Sequence, residues 1–254
     1  MAVAAAVALV FAVLAAVPAR ADAGRVVLDD SFTGKTIDPA NWIPQVGRAS
    51  KSSEVFQPSN DVVDGSGLHL LVRRASTDSP VVSGGVISRA SMRYGTVDVL
   101  ARLPKGDGLW PTLWLRGYDS KGRVTGEIDL FEAFGSHTSA LQSTVHHWHN
   151  GQDSAESDCA LVGWNRPTLC HQRSWPKADF HAAYHHYGLD WKPGKVTFLF
   201  DGTPYYTTRW DVPSTSMELV MNVQVGGFWD GWPDESTQFP TSMDITHVRL
   251  VSLT

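Results

Sequence analysis

The chain has 254 residues, of which 21 are basic and 26 acidic, for a formal charge of −5, and 43% are hydrophobic. That length is enough for one sizeable domain with a real core. The acidic balance, with no basic block anywhere, argues against a nucleic-acid or anionic-membrane partner.

Residues 2–17 carry no charge and read Ala, Val, Leu and Phe throughout, followed by Pro18 and the small-residue patterns Ala19-Arg20-Ala21 and Ala21-Asp22-Ala23. This is the pattern of a secretory signal peptide over residues 1–21, with cleavage after Ala23 as the alternative, and it is too short to span a membrane comfortably. No Lys or Arg precedes the apolar run, so only the N-terminal amine supplies its positive charge. Cleavage after Ala21 removes Arg20, leaving 20 basic against 26 acidic residues, a charge of −6. Residues 22–254 are expected to form a single exported domain, monomeric and free of the membrane once the leader is removed.

Beyond the leader, helical periodicity is nearly absent and short β-rich runs recur. They are predicted at Arg25–Leu28, Leu68–Arg73, Thr96–Arg102, Leu113–Leu115, Glu127–Ala133, Ser143–Trp148, Val196–Phe200, Leu219–Gln224 and Ile245–Val251. Turn signals such as Asp64-Gly65-Ser66-Gly67, Lys105-Gly106-Asp107-Gly108 and Asp201-Gly202 punctuate them. Many short strands between Gly- and Pro-rich turns predict an all-β fold, an antiparallel β-sandwich. The segment from His149 to Ala183 is the least regular, and an irregular insert of that length usually serves function. It contains both cysteines, Cys159 and Cys170, ten residues apart. In an exported protein they are expected to form one local disulfide, worth roughly 2–3 kcal/mol by loop entropy.

One stretch concentrates the chemistry: Gly126-Glu127-Ile128-Asp129-Leu130-Phe131-Glu132. In a strand, Glu127 and Asp129 share a face, and Glu132 falls on the other. One extra residue near Leu130-Phe131, a β-bulge, returns Glu132 to the side of its fellow acids. Like charges on one face cost stability, so a structural strand has little reason to carry them. Glycoside hydrolysis does, because it needs one carboxylate as nucleophile and one protonated carboxyl as acid. The ten tryptophans suit either core packing or stacking on sugar rings. His146, His147 and His149 suggest zinc by composition, but 146 and 147 face opposite sides of a strand, so no metal site is expected.

Over residues 28–251 the chain resembles the family-16 glycoside hydrolases. The resemblance rests on Asp30-Ser31-Phe32, Pro58-Ser59-Asn60, Tyr94-Gly95 and Gly108-Leu109-Trp110-Pro111-Thr112-Leu113-Trp114, then on the glutamate motif itself. It continues through Thr144-Val145-His146, the run Tyr184–Trp191, Asn222 with Gly226-Gly227, and Val248-Arg249. The bulged spacing is similar to that of the laminarinase-like branch. The resemblance implies a concanavalin-like jelly roll with a cleft on its concave face. It implies Glu127 as nucleophile, Glu132 as acid/base and Asp129 as the residue orienting the nucleophile. Trp110, Trp114, Asn60, His146 and Asn222 correspond to substrate-binding positions, His146 beside the acid/base. It implies no cofactor and a polysaccharide substrate, most simply β-1,3-glucan cut internally with retention. Mixed-linkage glucan or a galactan is the alternative within the class, as is transfer to a sugar acceptor. A non-catalytic carbohydrate-binding sandwich is the alternative of another class. Two departures stand out. Where many relatives hold a structural calcium through carboxylates, this chain has Ser31 and Thr246, and Arg123-Val124-Thr125 replaces the tryptophan-bearing approach to the motif.

Overall fold

A computed structural model of the chain describes residues 24–48, 52–76, 78–149, 151–153, 170–227 and 230–253, the side chains of 153 and 170–172 excepted. The leader and Cys159 lie outside these residues, as does the side chain of Cys170, and with them the expected disulfide.

The strands follow one another with little else between them. They begin with β1 (Arg25–Asp30), β2 (Trp42–Pro44), β3 (Gly47–Arg48), β4 (Val55–Phe56), β5 (Asp61–Val63), β6 (Leu68–Arg73) and β7 (Val82–Ser83). Next come β8 (Gly85–Met92), β9 (Gly95–Arg102), β10 (Leu109–Tyr118), β11 (Val124–Ala133), β12 (Ala140–His149), β13 (Gln152–Asp153) and β14 (Cys170–Ser174). The last are β15 (His185–Lys192), β16 (Lys195–Phe200), β17 (Thr203–Thr208), β18 (Met217–Val225) and β19 (Thr241–Ser252). Among the described residues one 3-10 turn, Pro58–Asn60, precedes β5. Every predicted strand is present. The insert is less irregular than expected, because β14 pairs with β12 from Ala140 to Thr144.

Two sheets result. The larger runs β17-β16-β15-β9-β19-β6-β7-β4-β3, with β1 added on β19 and β5 on β6. The smaller runs β13-β12-β11-β10-β18-β8-β2, with β14 on β12. Pairing is antiparallel throughout the described ladders except β4 with β7. The architecture is the antiparallel sandwich that the alternating runs predict.

Alternation decides what lies between the sheets. On β10, Leu109, Leu113 and Leu115 enter the core, and on β11 Ile128 does so, all fully buried. They meet Leu68, Leu70, Val97, Val99, Leu189, Trp191 and Phe198 of the larger sheet. Each such side chain contributes about 1.5–3 kcal/mol by leaving water. The alternate positions of the smaller sheet therefore face outward, and there the polar residues collect.

Candidate active site

The register of four neighbouring strands arranges the outward face of the smaller sheet in rows. Asn222 of β18, Thr112 of β10, Glu132 of β11 and Gln142 of β12 form the first. Val220, Trp114, Asp129 and Thr144 form the second, and Glu218, Arg116, Glu127 and His146 the third. All three acids of the motif thus occupy one face, on successive rows. The device is the bulge predicted near Leu130-Phe131. Between Asp129 and Glu132 the ladder to β12 slips by one residue, and the ladder to β10 slips at the same place. Without that extra residue Glu132 would turn toward the core.

A bulge leaves backbone groups outside the ladder, and a buried one must find a partner. The carbonyl of Leu130 accepts a hydrogen bond from the Ser143 hydroxyl at 2.7 Å and a longer one from the Tyr205 hydroxyl at 3.4 Å. Ser143 and Tyr205 are themselves 2.5 Å apart. Ser143 is fully buried on the core side of β12. The irregularity that aligns the acids is braced from behind by two hydroxyls.

Asp129 is almost fully covered, its side chain 7% exposed, while that of Glu127 is 24% exposed. His146, in register with Glu127, places Nε2 3.3 Å from Asp129 and 3.9 Å from Glu127. The sequence placed His146 beside the acid/base. In the ladder, the position opposite Glu132 is Gln142, and the contacts of His146 described here run to the other two acids. Its ring also stacks on Trp148 at 5.6 Å.

The other anticipated residues divide. Trp114 is half-buried in the row of Asp129, and Trp110 is buried on the same face one step beyond Thr112. Asn222 accepts a hydrogen bond from Thr112 through Oδ1 and donates through Nδ2 to Gln45 at 2.8 Å. It therefore fixes the start of the row that holds Glu132. Asn60 is not brought to this face. It is 1% exposed in the 3-10 turn, and its amide donates to the carbonyls of Leu71 and Val82 at 2.9 and 3.0 Å. Both donors hold backbone, so its role is to brace that turn.

Arg116 is the residue that the sequence reading passed over. It sits between Glu127 and Glu218 in register, its guanidinium 5.6 Å from the Trp114 ring and 5.3 Å from the Tyr118 ring. Its Nε is buried without a hydrogen-bond partner. Alternation from Trp110 and Trp114 already puts Arg116 on the same face. Its place opposite Glu127 follows only from the slipped register.

At the Glu132 end the face is bounded by loops. The chain around Asp230 meets the turns at 106–108 and 135–136. Gly108 N–H donates to the Asp230 carbonyl at 3.1 Å, and Gly106 N–H to that of Gly135 at 3.0 Å. Burial pushes the Asp230 carboxyl up, against hydrogen bonds from Ser136. On the neighbouring side Ser52 links Gln224 to Glu54, a carboxyl also raised by burial. Two groups of side chains have the donor set for a divalent ion: Glu127 with Asp129 and His146, and His147 with His149 and Asp211. Next to Ser31, Asp30 is committed to protein donors, accepting from Phe32 N–H and Trp42 Nε1, both at 2.8 Å.

Residues 50–247 match the family model for glycosyl hydrolases family 16. The chain is 27% identical over 249 residues to a beta-glucanase of Rhodothermus marinus, covering 84% of this chain and 79% of that protein. It is 25% identical over 269 residues to glucan endo-1,3-beta-glucosidase A1 of Niallia circulans, covering 89% of this chain but only 37% of that much longer protein. The catalytic domain of an endo-1,3-beta-glucanase (laminarinase) from Thermotoga petrophila RKU-1 superimposes with a TM-score of 0.76 at 25% identity, covering 90% of this chain and 98% of that one. The family match spans the sandwich from before the 3-10 turn to β19 and includes every row of the acidic face. The chain belongs to glycosyl hydrolases family 16.

Proposed function

We propose that this protein is an exported, retaining endo-β-glycanase whose substrate is β-1,3-glucan. The observation that carries the reading is the bulged strand: three acids in successive rows of one face, beside Trp114, with apolar residues alone on the reverse. Glu132 protonates the leaving oxygen while Glu127 attacks the anomeric carbon, forming a covalent glycosyl-enzyme and releasing the shortened chain. Water then enters, Glu132 takes its proton, and the bond to Glu127 breaks with net retention. Asp129, nearly buried and in contact with His146, orients Glu127. The names of the relatives support β-glucan as the polymer, and Trp114 supplies a flat apolar surface for a pyranose ring.

The test offers β-1,3-glucan, mixed-linkage glucan and agarose in parallel, reading product lengths by chromatography and the configuration of the new reducing end by NMR. Internal products from β-1,3-glucan with the β-configuration retained are expected. Inactivity on all three polymers, or immediate release of the α-anomer, overturns the reading. Glu132→Gln is expected to lower kcat about 10²–10⁴-fold, and Glu127→Gln at least as much. A Glu127→Gln protein hydrolysing at the parent rate would refute the mechanism.

A further inference from the structure

The end of β12 carries a second cluster that the reaction does not use. His147 and His149 lie on the face opposite His146, since strand side chains alternate. Between them stands Asp211, from the connection that follows β17. Its Oδ1 is 2.9 Å from Nδ1 of His147, and its Oδ2 is 2.7 Å from Nε2 of His149. The two imidazole rings are 4.2 Å apart, and one donor atom from each of the three residues falls within 4.8 Å of the others.

The scaffold holds these groups before any ion arrives. His147 and Asp211 are 23% and 27% exposed, while His149 is 56% exposed and leaves an approach from solvent. The connection bearing Asp211 is anchored two residues on, where Trp191 Nε1 donates to the carbonyl of Pro213 at 3.2 Å. Pro213 also lies against Gly126, whose missing side chain lets the connection pass. A Cβ there would stand 2.6 Å from the Pro213 ring. The position also has a structural meaning. β12 belongs to the smaller sheet, and Asp211 follows the outermost strand of the larger, so a bond between them would tie the two layers at their open edge.

We propose that His147, His149 and Asp211 form a binding site for a divalent first-row transition ion, zinc being the natural occupant, with water completing the shell. Two imidazoles and one carboxylate suit zinc at about 2.0–2.2 Å per ligand, which needs donors roughly 3.4 Å apart. Calcium and magnesium demand mostly oxygen ligands and are disfavoured by the same donor set. The ion lies on the opposite face of the sheet from Glu127 and Glu132. It acts as a clip on the sandwich, adding stability that grows with the logarithm of the free ion concentration once that exceeds the dissociation constant.

The test uses the full protein, freed of metal with a chelator and titrated calorimetrically with zinc, with cobalt absorption as a second readout. One equivalent is expected to bind, with a tetrahedral-type cobalt spectrum and a rise in Tm. His149→Gln, at an exposed position, and Asp211→Asn are each expected to weaken binding more than about 10-fold, with hydrolysis unchanged. Glu127→Gln is expected to bind zinc as the parent does. Absence of saturable binding overturns the proposal. So does binding that survives both His149→Gln and Asp211→Asn, or that disappears in Glu127→Gln, which would place the ion among the catalytic acids. None of these readouts depends on which polysaccharide the enzyme cuts.

Discussion

Arg116 illustrates how one residue acquires a role from its neighbours. It is a cation set over two aromatic rings and opposite Glu127, on the face that also carries Asp129 and Glu132. A nearby positive charge favours the ionised carboxylate that a nucleophile requires. Replacing Arg116 with Met is expected to lower kcat/KM about 10-fold or more and to move the acid limb of the pH–rate profile upward. Arg116→Lys should restore the limb in part, because charge survives while the planar stack does not. Steady-state kinetics between mildly acid and neutral pH checks both outcomes. A Met variant with an unmoved limb would reduce Arg116 to packing. Asn60 teaches the converse. Its sequence context pointed to the cleft, yet both of its amide hydrogens hold backbone carbonyls in a buried turn.

At the scale of elements, the bulge in β11 is the feature on which the site depends. Its stability rests on Ser143 and Tyr205, which satisfy the Leu130 carbonyl from the core side. Ser143→Ala leaves a buried acceptor short of its nearest donor and is expected to cost about 1–3 kcal/mol of stability. Because the acids lie one strand-turn away, it should also lower kcat at temperatures where the protein remains folded. Denaturant unfolding together with activity on the same preparation separates the two effects. If kcat is untouched while stability falls, the bulge is held by the ladder alone. Gly126, the first residue of the motif, has its own constraint: the connection carrying Pro213 occupies the space a side chain would take.

For the whole molecule, buried carboxyls set how stability responds to pH. Asp61 is 8% exposed, its Oδ2 has no hydrogen-bond partner, and burial pushes its pKa up to about 7. The folded state therefore holds a proton that the unfolded chain releases near its ordinary value of 3.8. The stability associated with that proton is fully present below that value and is lost as pH rises toward about 7. Glu54 and Asp230, also raised by burial, act in the same direction. Asp244 opposes them. Burial would raise it, but bonds from Ser242, Arg102 and His69 hold it below the usual range, so its contribution is lost only in acid. Tm should thus fall from pH 5 to pH 8, and Asp61→Asn should flatten that decline. An unchanged slope in the variant would show that Asp61 is not the group responsible. The proposed export depends on the leader, and N-terminal sequencing of secreted protein, expected to begin at residue 22 or 24, tests it directly.

What could be read from the sequence was periodic or local. Alternation in runs such as Leu68–Arg73 and Thr96–Arg102 required strands, and many strands with turn residues between them required a sandwich. Crowding of Glu127, Asp129 and Glu132 required a bulge if the acids were to act together, because a pleat has a period of two. Strand register and the packing of distant segments lie outside that reach. They put Arg116 opposite Glu127, turned Asn60 into the buried turn, and brought Asp211 from beyond β17 between His147 and His149. Those pairings join residues up to dozens of positions apart; register within a sheet and the packing of distant segments decide the first two, and the packing of one sheet on the other decides the last.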